Sequence, residues 1–407
     1  IETARLPYII GSTLSSMDDP SLNDKVLHDF INRNGFSKEF VRAFVYGRYY
    51  YYNQDTEWLY KAGFDDWSDE QKVLVLICLP FKKDIWDLLD KQNKGIVKAY
   101  WEKVNDFRSI QEEGYSEYAV NRLLQVKRPL AAVECIYWSL PMRENDKIKT
   151  KLNDSQCIKA LIKSANSPED KSMLSRLYGD ILKIFDYLHK NSNFIETNLW
   201  EAELLYLPLF SRYGNHTRPL ALMYLVANNA EFFCSLIKMA YVSNKSQARK
   251  IKKISEQLQK NLLSILSFNV FPIMPGLDQN MRFNANKFKS WINETEKECK
   301  KSGHLDITQS VVGGYLINAP KDRSGLWIDE RVARVLDREN CVNMRLGYNR
   351  AIYNSRGVHA VDFSGSEEAK LRDLWKGRAV RAEEKGFLNF AQSLYDLADK
   401  FEYGNTN

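Results

Sequence analysis

The sequence predicts an all-α protein, an array of antiparallel helix hairpins of the tetratricopeptide-like or α-solenoid kind with an irregular, loop-rich insert near residues 303–365. Three observations support this fold class. The 407 residues include only 19 glycines and 11 prolines, below the roughly 12% of average usage, and tight turns depend on these two residues. Apolar residues make up 44% of the chain, enough to bury a sizeable core. They also recur at the spacing of amphipathic helices.

Residues 1–268 are interpreted as a helical repeat array. Ser68, with Gln71 three residues later, has the pattern of a capping box that starts a helix. The segment behind it, Val73–Leu79, is apolar on every side, as expected of an interior helix, and a proline follows. These signals predict a buried helix early in the array.

Two later segments of the array echo each other. Arg128-Pro129 and Arg218-Pro219 each open an apolar helix, where a proline costs nothing because a first-turn amide has no partner. Residues 246–268 have the pattern of an amphipathic helix with lysines and arginines off the apolar stripe. Its basic side is interpreted either as a solvated face or as a face that binds anions or a partner.

A boundary is predicted near residue 269, where the chain changes character. Residues 271–276 contain two prolines and cannot be helical throughout. The second domain, 269–407, is predicted to hold the irregular insert and to end in a helix hairpin. Within the insert, Gly313-Gly314 and residues 347–365 are the positions that argue most against helix.

Charge and cysteine usage limit the partners and the compartment. The net charge of +6 is a mild excess over 58 basic and 52 acidic residues, so nucleic acid is not an expected partner. The six cysteines form no Cys-x-x-Cys pair, which fits a reducing cytoplasm. The longest apolar run, residues 73–81, falls short of the ~20 residues of a membrane span. We expect a cytoplasmic protein, and the start at Ile1-Glu2-Thr3 suggests a piece of a longer chain.

The sequence carries no catalytic motif. It has no Gly-x-x-x-x-Gly-Lys-Ser/Thr phosphate loop, no His-Glu-x-x-His and no Gly-x-Ser-x-Gly. We therefore predict no enzymatic activity, no cofactor and no metal for this chain. One alternative from another class stays open, an enzyme whose site assembles from scattered residues such as His359, Asp362 and Glu368.

The run Tyr49–Tyr52 supplies the first candidate partner contacts, Tyr50 and Tyr52. Four rings on one helical turn cannot all face one core, so at least one of them is expected to be exposed or to contact an adjacent segment. Tyrosine suits interfaces because its ring is apolar and its hydroxyl can stay in water. The alternative is that the rings are wedged between neighbouring helices.

The other candidates are Arg350, Tyr353 and Arg356, in a stretch from Arg345 to His359 where basic and aromatic residues interleave. Such a stretch can bind an acidic protein surface, or nucleic acid by stacking and phosphate contact. We predict partner binding here because binding residues collect in irregular segments. A purely structural role is the alternative.

The second domain also resembles a known family. The resemblance rests on the order of motifs in residues 275–401, which is Pro275-Gly276, a helix with Trp291, Ala319-Pro320 with Asp322, Gly325 and Trp327, the group Arg331, Val332 and Arg334, residues 354–358, Gly365 with Glu368, and an alanine-rich hairpin ending at Phe401. This order is similar to the C-terminal helical, tetratricopeptide-like region of bacterial antiviral STAND NTPases of the Avs type.

The resemblance implies a sensor. In that family the helical array recognises a phage structural protein, the portal or the large terminase subunit, and releases an NTPase module that switches on an effector such as a nuclease. This chain carries neither motor nor effector signature, so it would be the sensor part, and the upstream NTPase domain of the same parent chain would be a partner. No family contact residue can be carried over. The competing hypothesis is a helical scaffold or regulator unrelated to phage.

Overall fold

The computed structural model describes most of the chain. The described residues are 2–33, 38–110, 115–141, 153–167, 175–193, 195–212, 217–243, 254–267, 271–278, 282–323, 325–356 and 366–403. These ranges contain 22 α-helices and no β-strand, with one isolated bridge between Leu277 and Phe283. The predicted all-α fold class is therefore confirmed, whereas the solenoid arrangement of the helices stays a prediction.

The chain divides into two compact units, Ile1–Ser192 and Asn193–Asn407. The predicted domain boundary near residue 269 falls inside the second unit. The helices described in the first unit are α1 (Glu2–Ser15), α2 (Ser21–Arg33), α3 (Lys38–Tyr51), α4 (Glu57–Lys61), α5 (Asp69–Leu76), α6 (Lys83–Asp90), α7 (Lys94–Lys103), α8 (Ser116–Gln125), α9 (Pro129–Ser139), α10 (Asp154–Ala165) and α11 (Tyr178–Asn191).

Local sequence signals fix several helix starts in the first unit. The Ser68 hydroxyl accepts a hydrogen bond from the amide of Gln71, and the Gln71 side chain accepts one from the amide of Ser68. This capping box begins α5, as predicted. Pro129 is the first residue of α9, also as predicted. The Arg128 guanidinium before it donates to the backbone oxygens of Trp101 (2.9 Å) and Val104 (2.6 Å), and so ties α9 to the end of α7.

The second unit holds the remaining eleven described α-helices. The helices described here are α12 (Leu199–Leu205), α13 (Leu207–Arg212), α14 (Leu220–Asn228), α15 (Ala230–Ala240), α16 (Glu256–Ile265), α17 (Ala285–Ser302), α18 (Leu305–Tyr315), α19 (Glu330–Leu336), α20 (Val342–Asn354), α21 (Ser366–Glu384) and α22 (Leu388–Tyr403). Of the amphipathic helix predicted over residues 246–268, α16 is described, and residues 246–253 lie outside the described ranges.

The predicted insert near 303–365 is less irregular than expected. Three helices, α18, α19 and α20, lie within it, and the connection over residues 319–329 is its irregular part among the described residues. The glycines that argued against helix lie inside helices instead. A Cβ on Gly313 would lie 1.9 Å from the backbone oxygen of Met344, and one on Gly347 would lie 2.0 Å from that of Ser310. These glycines are needed because α18 and α20 cross in backbone contact.

The last two helices, α21 and α22, pack against each other across a turn at Gly386, whose φ of 80° is left-handed and favours glycine.

Among the described helices, none is by itself long and apolar enough to cross a membrane. Only α14 and α15 taken together reach that length and composition, and they are bent by 104° where they meet.

Candidate functional site

The predicted partner-binding residues lie on two helices, one in each unit. Tyr50 lies in the last turn of α3 in the first unit, and Tyr52 directly follows that helix. Arg350, Tyr353 and Arg356 belong to the end of α20 and the residues after it in the second unit. Each place is a candidate docking surface and has its own geometry.

The tyrosine cluster, Tyr49–Tyr52, is spread around the end of α3. Tyr49 is fully buried, Tyr50 and Tyr51 are exposed, and Tyr52 is half-buried. This distribution follows from the roughly 100° of rotation between successive residues of a helix. The Tyr50 ring therefore lies at the surface, whereas Tyr49 belongs to the core.

Arg48 links the tyrosine cluster to the connection between α1 and α2. It is fully buried, and its Nη1 donates to the backbone oxygens of Ser15 (3.2 Å) and Met17 (2.6 Å). Its Nη2 donates to the backbone oxygen of Asp19 (2.9 Å). The guanidinium carbon also lies 5.7 Å from the centre of the Tyr52 ring, within the range of a cation–π contact. A buried cation thus joins the α1–α2 connection to the tyrosines.

The exposed ring of Tyr50 is held between two neighbours. The Tyr46 ring, one turn earlier on α3, lies with its centre 5.0 Å away. The Lys82 ammonium nitrogen lies 5.4 Å from the centre of the Tyr50 ring, and the same nitrogen donates to the Gln54 side-chain oxygen (3.2 Å). Tyr50 is therefore an ordered aromatic surface with a cation beside it.

The chain turns sharply after α3 and forms a groove at Tyr52. Asn53 and Gln54 both have positive φ, 52° and 67°, a conformation that is uncommon outside glycine. The turn brings Trp58 of α4 onto Tyr52, with ring centres 6.3 Å apart and nearly parallel planes. The groove beside these rings has a volume of about 450 Å³, and its lining includes Asn23, Glu57 and Lys61.

The rear of α3 is fixed by a close crossing with α1. A Cβ on Gly11 of α1 would lie 2.3 Å from the backbone oxygen of Phe40. A Cβ on Gly47 of α3 would lie 1.9 Å from the hydroxyl oxygen of Ser15. The two helices approach this closely only because both positions are glycine.

In the second unit, α20 presents a row of exposed side chains, Val342, Leu346, Arg350 and Tyr353, here called the α20 face. Their spacing of four, four and three residues places them on one side of the helix. The row is mostly apolar and carries one cation. Arg350 forms no ion pair with any residue that the structure describes. Exposed apolar side chains grouped on one helix face are typical of docking surfaces.

The opposite side of α20 is buried and hydrogen-bonded. The Tyr348 hydroxyl accepts a hydrogen bond from Nε1 of Trp327 (3.2 Å), and burial raises the pKa of Tyr348 to about 12. Nη1 of Arg345 donates to the backbone oxygens of Leu336 (2.8 Å) and Arg338 (2.7 Å), at the end of α19. These contacts fix the rotation of α20 and with it the direction in which the α20 face points.

Tyr353 and Arg356 both contact Phe401 of α22, but they differ in what they offer a partner. The Tyr353 ring centre lies 5.5 Å from that of Phe401, and the tyrosine is still exposed. Arg356 pairs with Glu368 (2.9 Å), with side chains only 16% and 10% exposed, and lies over the Phe401 ring. This placement gives Arg356 a structural role, and it leaves Arg350 and Tyr353 as the accessible candidates of this stretch.

The structure gives no support to a catalytic or metal grouping among its described residues. His359 and Asp362 of the alternative enzyme site lie outside the described ranges. The third residue, Glu368, is the partner of Arg356. Within the described ranges, no group of three or more His, Cys, Asp or Glu side chains is placed to hold a metal ion.

Comparison of the chain with protein-family models, with curated proteins and with solved structures found no match. The resemblance to the Avs-type sensor region therefore stays a prediction from the sequence.

Sequence reasoning missed two parts of these surfaces. It overlooked Val342 and Leu346 because the whole insert near 303–365 was predicted to be irregular, so their helical spacing with Arg350 and Tyr353 was not considered. It also overlooked Arg48, whose three carbonyl partners lie 29, 31 and 33 residues earlier in the chain. No local signal in the sequence could have found that set of contacts.

Proposed function

We propose that this chain is a protein-binding helical module and that the α20 face is its principal docking surface. Following the family resemblance, the proposed partner is a phage structural protein, the portal or the large terminase subunit. The module would act as the sensor part of a bacterial anti-phage defence protein and relay binding to an upstream NTPase domain. The proposal assigns binding, and not catalysis, to this chain.

The observation that carries the proposal is the contrast between the two sides of α20. The inner side is fixed by the glycine crossing with α18 and by the Arg345 and Tyr348 hydrogen bonds. The outer side exposes two aliphatic side chains and a tyrosine. A helix that is already ordered loses little conformational entropy when a partner covers it, which favours binding.

The cation on the face specifies the kind of surface that would bind. Arg350 is exposed beside Leu346 and Tyr353, and arginine and tyrosine are enriched at the energetic centres of protein interfaces. A complementary partner would offer an apolar groove with a carboxylate at its rim. In the first unit, Tyr50 and Tyr52 are the proposed further contacts.

The test measures binding of the purified chain to purified portal and large terminase proteins by titration calorimetry. We expect one of them to bind with a Kd of about 1 µM or tighter. Leu346→Asp should weaken that binding about tenfold or more, because it places a charge at the centre of the apolar row. Leu374→Asp on α21 is the matched control, since Leu374 is 46% exposed and Leu346 is 50% exposed.

Two outcomes would contradict the proposal in different ways. If neither phage protein binds at ~10 µM, the sensor role is wrong. Capture of a host protein that depends on Leu346 would then favour the scaffold alternative. If a phage protein binds and both aspartate variants bind it equally well, the α20 face is not the docking surface.

A further inference from the structure

Two cysteines in the second unit lie side by side in the core. Cys234 of α15 and Cys299 of α17 are 65 residues apart in sequence, and their Sγ atoms are 3.1 Å apart. The side chains are 1% and 0% exposed. Sulfur atoms this close need to approach by only about 1 Å more to reach the length of a disulfide bond. Both cysteines are free in the structure.

The other four cysteines are buried in a different environment. Cys78 donates to the backbone oxygen of Leu74, and Cys341 lies near the Glu296 carboxylate. Cys135 and Cys157 interact electrostatically, but within the described ranges a hydrogen bond between two sulfurs joins only Cys234 and Cys299. Burial raises the pKa of Cys78 and of Cys157 to about 12, so both stay protonated and unreactive.

The pair differs because one sulfur stabilises the thiolate of the other. The hydrogen bond between the two sulfurs lowers the pKa of Cys299 to about 7 and raises the pKa of Cys234. Of the two thiols, Cys299 is therefore the one that loses its proton more readily. The thiolate is the nucleophilic form of cysteine, so Cys299 is the member of the pair that can attack an oxidant.

The pair also lies close to the end of its helix. Cys299 is in the last turn of α17, which ends at Ser302 and Gly303, with Gly303 at a left-handed φ of 74°. The Ser243 hydroxyl donates to the backbone oxygen of Ser302 (3.0 Å) and holds this end in place. Helix ends open more readily than helix interiors. Opening of this single turn would admit an oxidant as small as hydrogen peroxide.

From this geometry we propose that Cys234 and Cys299 form a redox modification site, at which a peroxide converts the two thiols into an intramolecular disulfide between α15 and α17. The oxidant is a hydroperoxide such as hydrogen peroxide. The inference concerns the second unit alone and does not depend on the proposed function.

The reaction balances as two thiols and one hydrogen peroxide giving one disulfide and two waters. The Cys299 thiolate attacks a peroxide oxygen and breaks the O–O bond. The departing hydroxide takes the proton that Cys299 had released and leaves as water, so that Cys299 becomes a sulfenic acid. The Cys234 sulfur then attacks the Cys299 sulfur. The S–S bond forms as the S–O bond breaks, and the Cys234 proton leaves with the hydroxyl as the second water.

The test is peptide mapping of the full chain after graded exposure to hydrogen peroxide. The protein is reduced, freed of reductant, oxidised, unfolded in iodoacetamide and digested without reductant. We expect a cross-linked peptide pair containing Cys234 and Cys299, lighter by two hydrogen atoms than the separate peptides and split by reductant. The remaining cysteines should carry the iodoacetamide label, and sulfoxide at the exposed Met17 shows that peroxide reached the protein.

A stability measurement provides a second readout that reports on the same bond. Oxidation should raise the thermal unfolding midpoint of the second unit by roughly 5 to 10 °C, because the disulfide closes a long loop. Cys299→Ser should abolish this shift and Cys135→Ser should leave it intact. Separate alkylation of Cys234 and Cys299 when Met17 is already oxidised would overturn the proposal. So would a different disulfide, or sulfinic acid on Cys299 without a cross-link.

Discussion

The candidate contacts of this protein lie at two helices, α3 and α20. Each of these helices packs against a neighbouring helix through glycines on its buried side, but the two expose different sets of side chains. In the first unit, α3 crosses α1 at Gly11 and Gly47. In the second unit, α20 crosses α18 at Gly313 and Gly347. At each crossing an added Cβ would overlap a backbone oxygen of the neighbouring helix, so the two helices pack this closely only with glycine there. The close packing holds the exposed face of α3 or α20 in a fixed orientation.

The surfaces themselves are built differently. Consecutive tyrosines on α3 point in different directions, and a buried arginine with three carbonyl partners orders them. Residues spaced by three and four on α20 point in one direction and need no such device. The comparison teaches that a run of identical residues on a helix is distributed between core and surface, whereas a spaced set is concentrated on one face.

The sharpest test of the shared support is Gly313→Ala. Alanine is the better helix former by about 1 kcal/mol, yet its Cβ would meet the Met344 backbone oxygen at 1.9 Å. We expect a net loss of about 3–4 kcal/mol in the free energy of unfolding, because the backbones of α18 and α20 must separate. Urea unfolding followed by circular dichroism measures it.

The control for that variant is Gly377→Ala on α21, where no described atom outside the helix's own backbone lies within 4 Å of the added Cβ. That substitution should raise the free energy of unfolding by ~0.5–1 kcal/mol, since only helix propensity changes. Gly11→Ala should behave like Gly313→Ala if the two crossings are equivalent. A neutral effect of Gly313→Ala would break the comparison, because α20 would then have no rigid support.

The second test concerns the buried Arg48, which orders the tyrosine cluster of the first unit. Arg48→Met keeps the length of the side chain but removes the donors to three backbone oxygens. We expect the free energy of unfolding to fall by about 2–3 kcal/mol, because those carbonyls lose their buried partners. Lys98→Met, at a well-exposed lysine paired with Glu102, should change it by less than ~0.5 kcal/mol.

Tryptophan fluorescence gives a readout of Arg48→Met that instability alone does not move. Trp58 stacks on Tyr52, which packs over the guanidinium, so the emission of the folded variant should change. Unchanged emission together with unchanged stability would show that the tyrosine cluster does not depend on Arg48.

The parts of the fold that sequence reasoning predicted correctly rest on local signals. The capping box of Ser68 and Gln71 and the proline that begins α9 act within one helical turn, so neighbouring residues are enough to identify them. The all-α class follows from the same kind of signal, summed along the chain. None of these signals requires knowledge of which helices touch.

The parts that were missed depend on contacts between distant residues. Gly313 and Gly347 look like helix breakers until the crossing partner is known, and this is why the insert was predicted to be irregular. Arg356 is predicted from the sequence to contact a partner, and only the fold shows that Glu368 and Phe401 lie against it. The four-residue spacing of Val342, Leu346 and Arg350 can be read from the sequence. It places them on one face only if the segment is a helix, which the glycines argued against.

The prediction with the smallest expected effect concerns an ion pair that holds α3. It tests whether charge contributes to the packing of α3, in addition to the kind of glycine crossing that α3 and α20 share. Arg42 of α3 pairs with Asp106, which follows α7, and Arg108 pairs with the same carboxylate at 2.8 Å. Partial burial acts to raise the pKa of Asp106, but the hydrogen bonds and charges of the two arginines outweigh it and hold that pKa below its ordinary value. The ionised carboxylate therefore stabilises the folded state.

The sign of the pH dependence follows from this lowered pKa. The unfolded chain binds a proton at Asp106 more readily than the folded chain does, so the contribution is complete above the unfolded pKa of ~4 and is lost as the pH falls through the folded value. Asp106→Asn should lower the free energy of unfolding at pH 7 by less than ~1 kcal/mol, because the pair is partly exposed to solvent. Urea unfolding at pH 7 and at pH 3 should show this difference shrinking in acid. A difference that stays constant would mean that Asp106 supports α3 through hydrogen-bond geometry alone, and that charge does not separate the two supports.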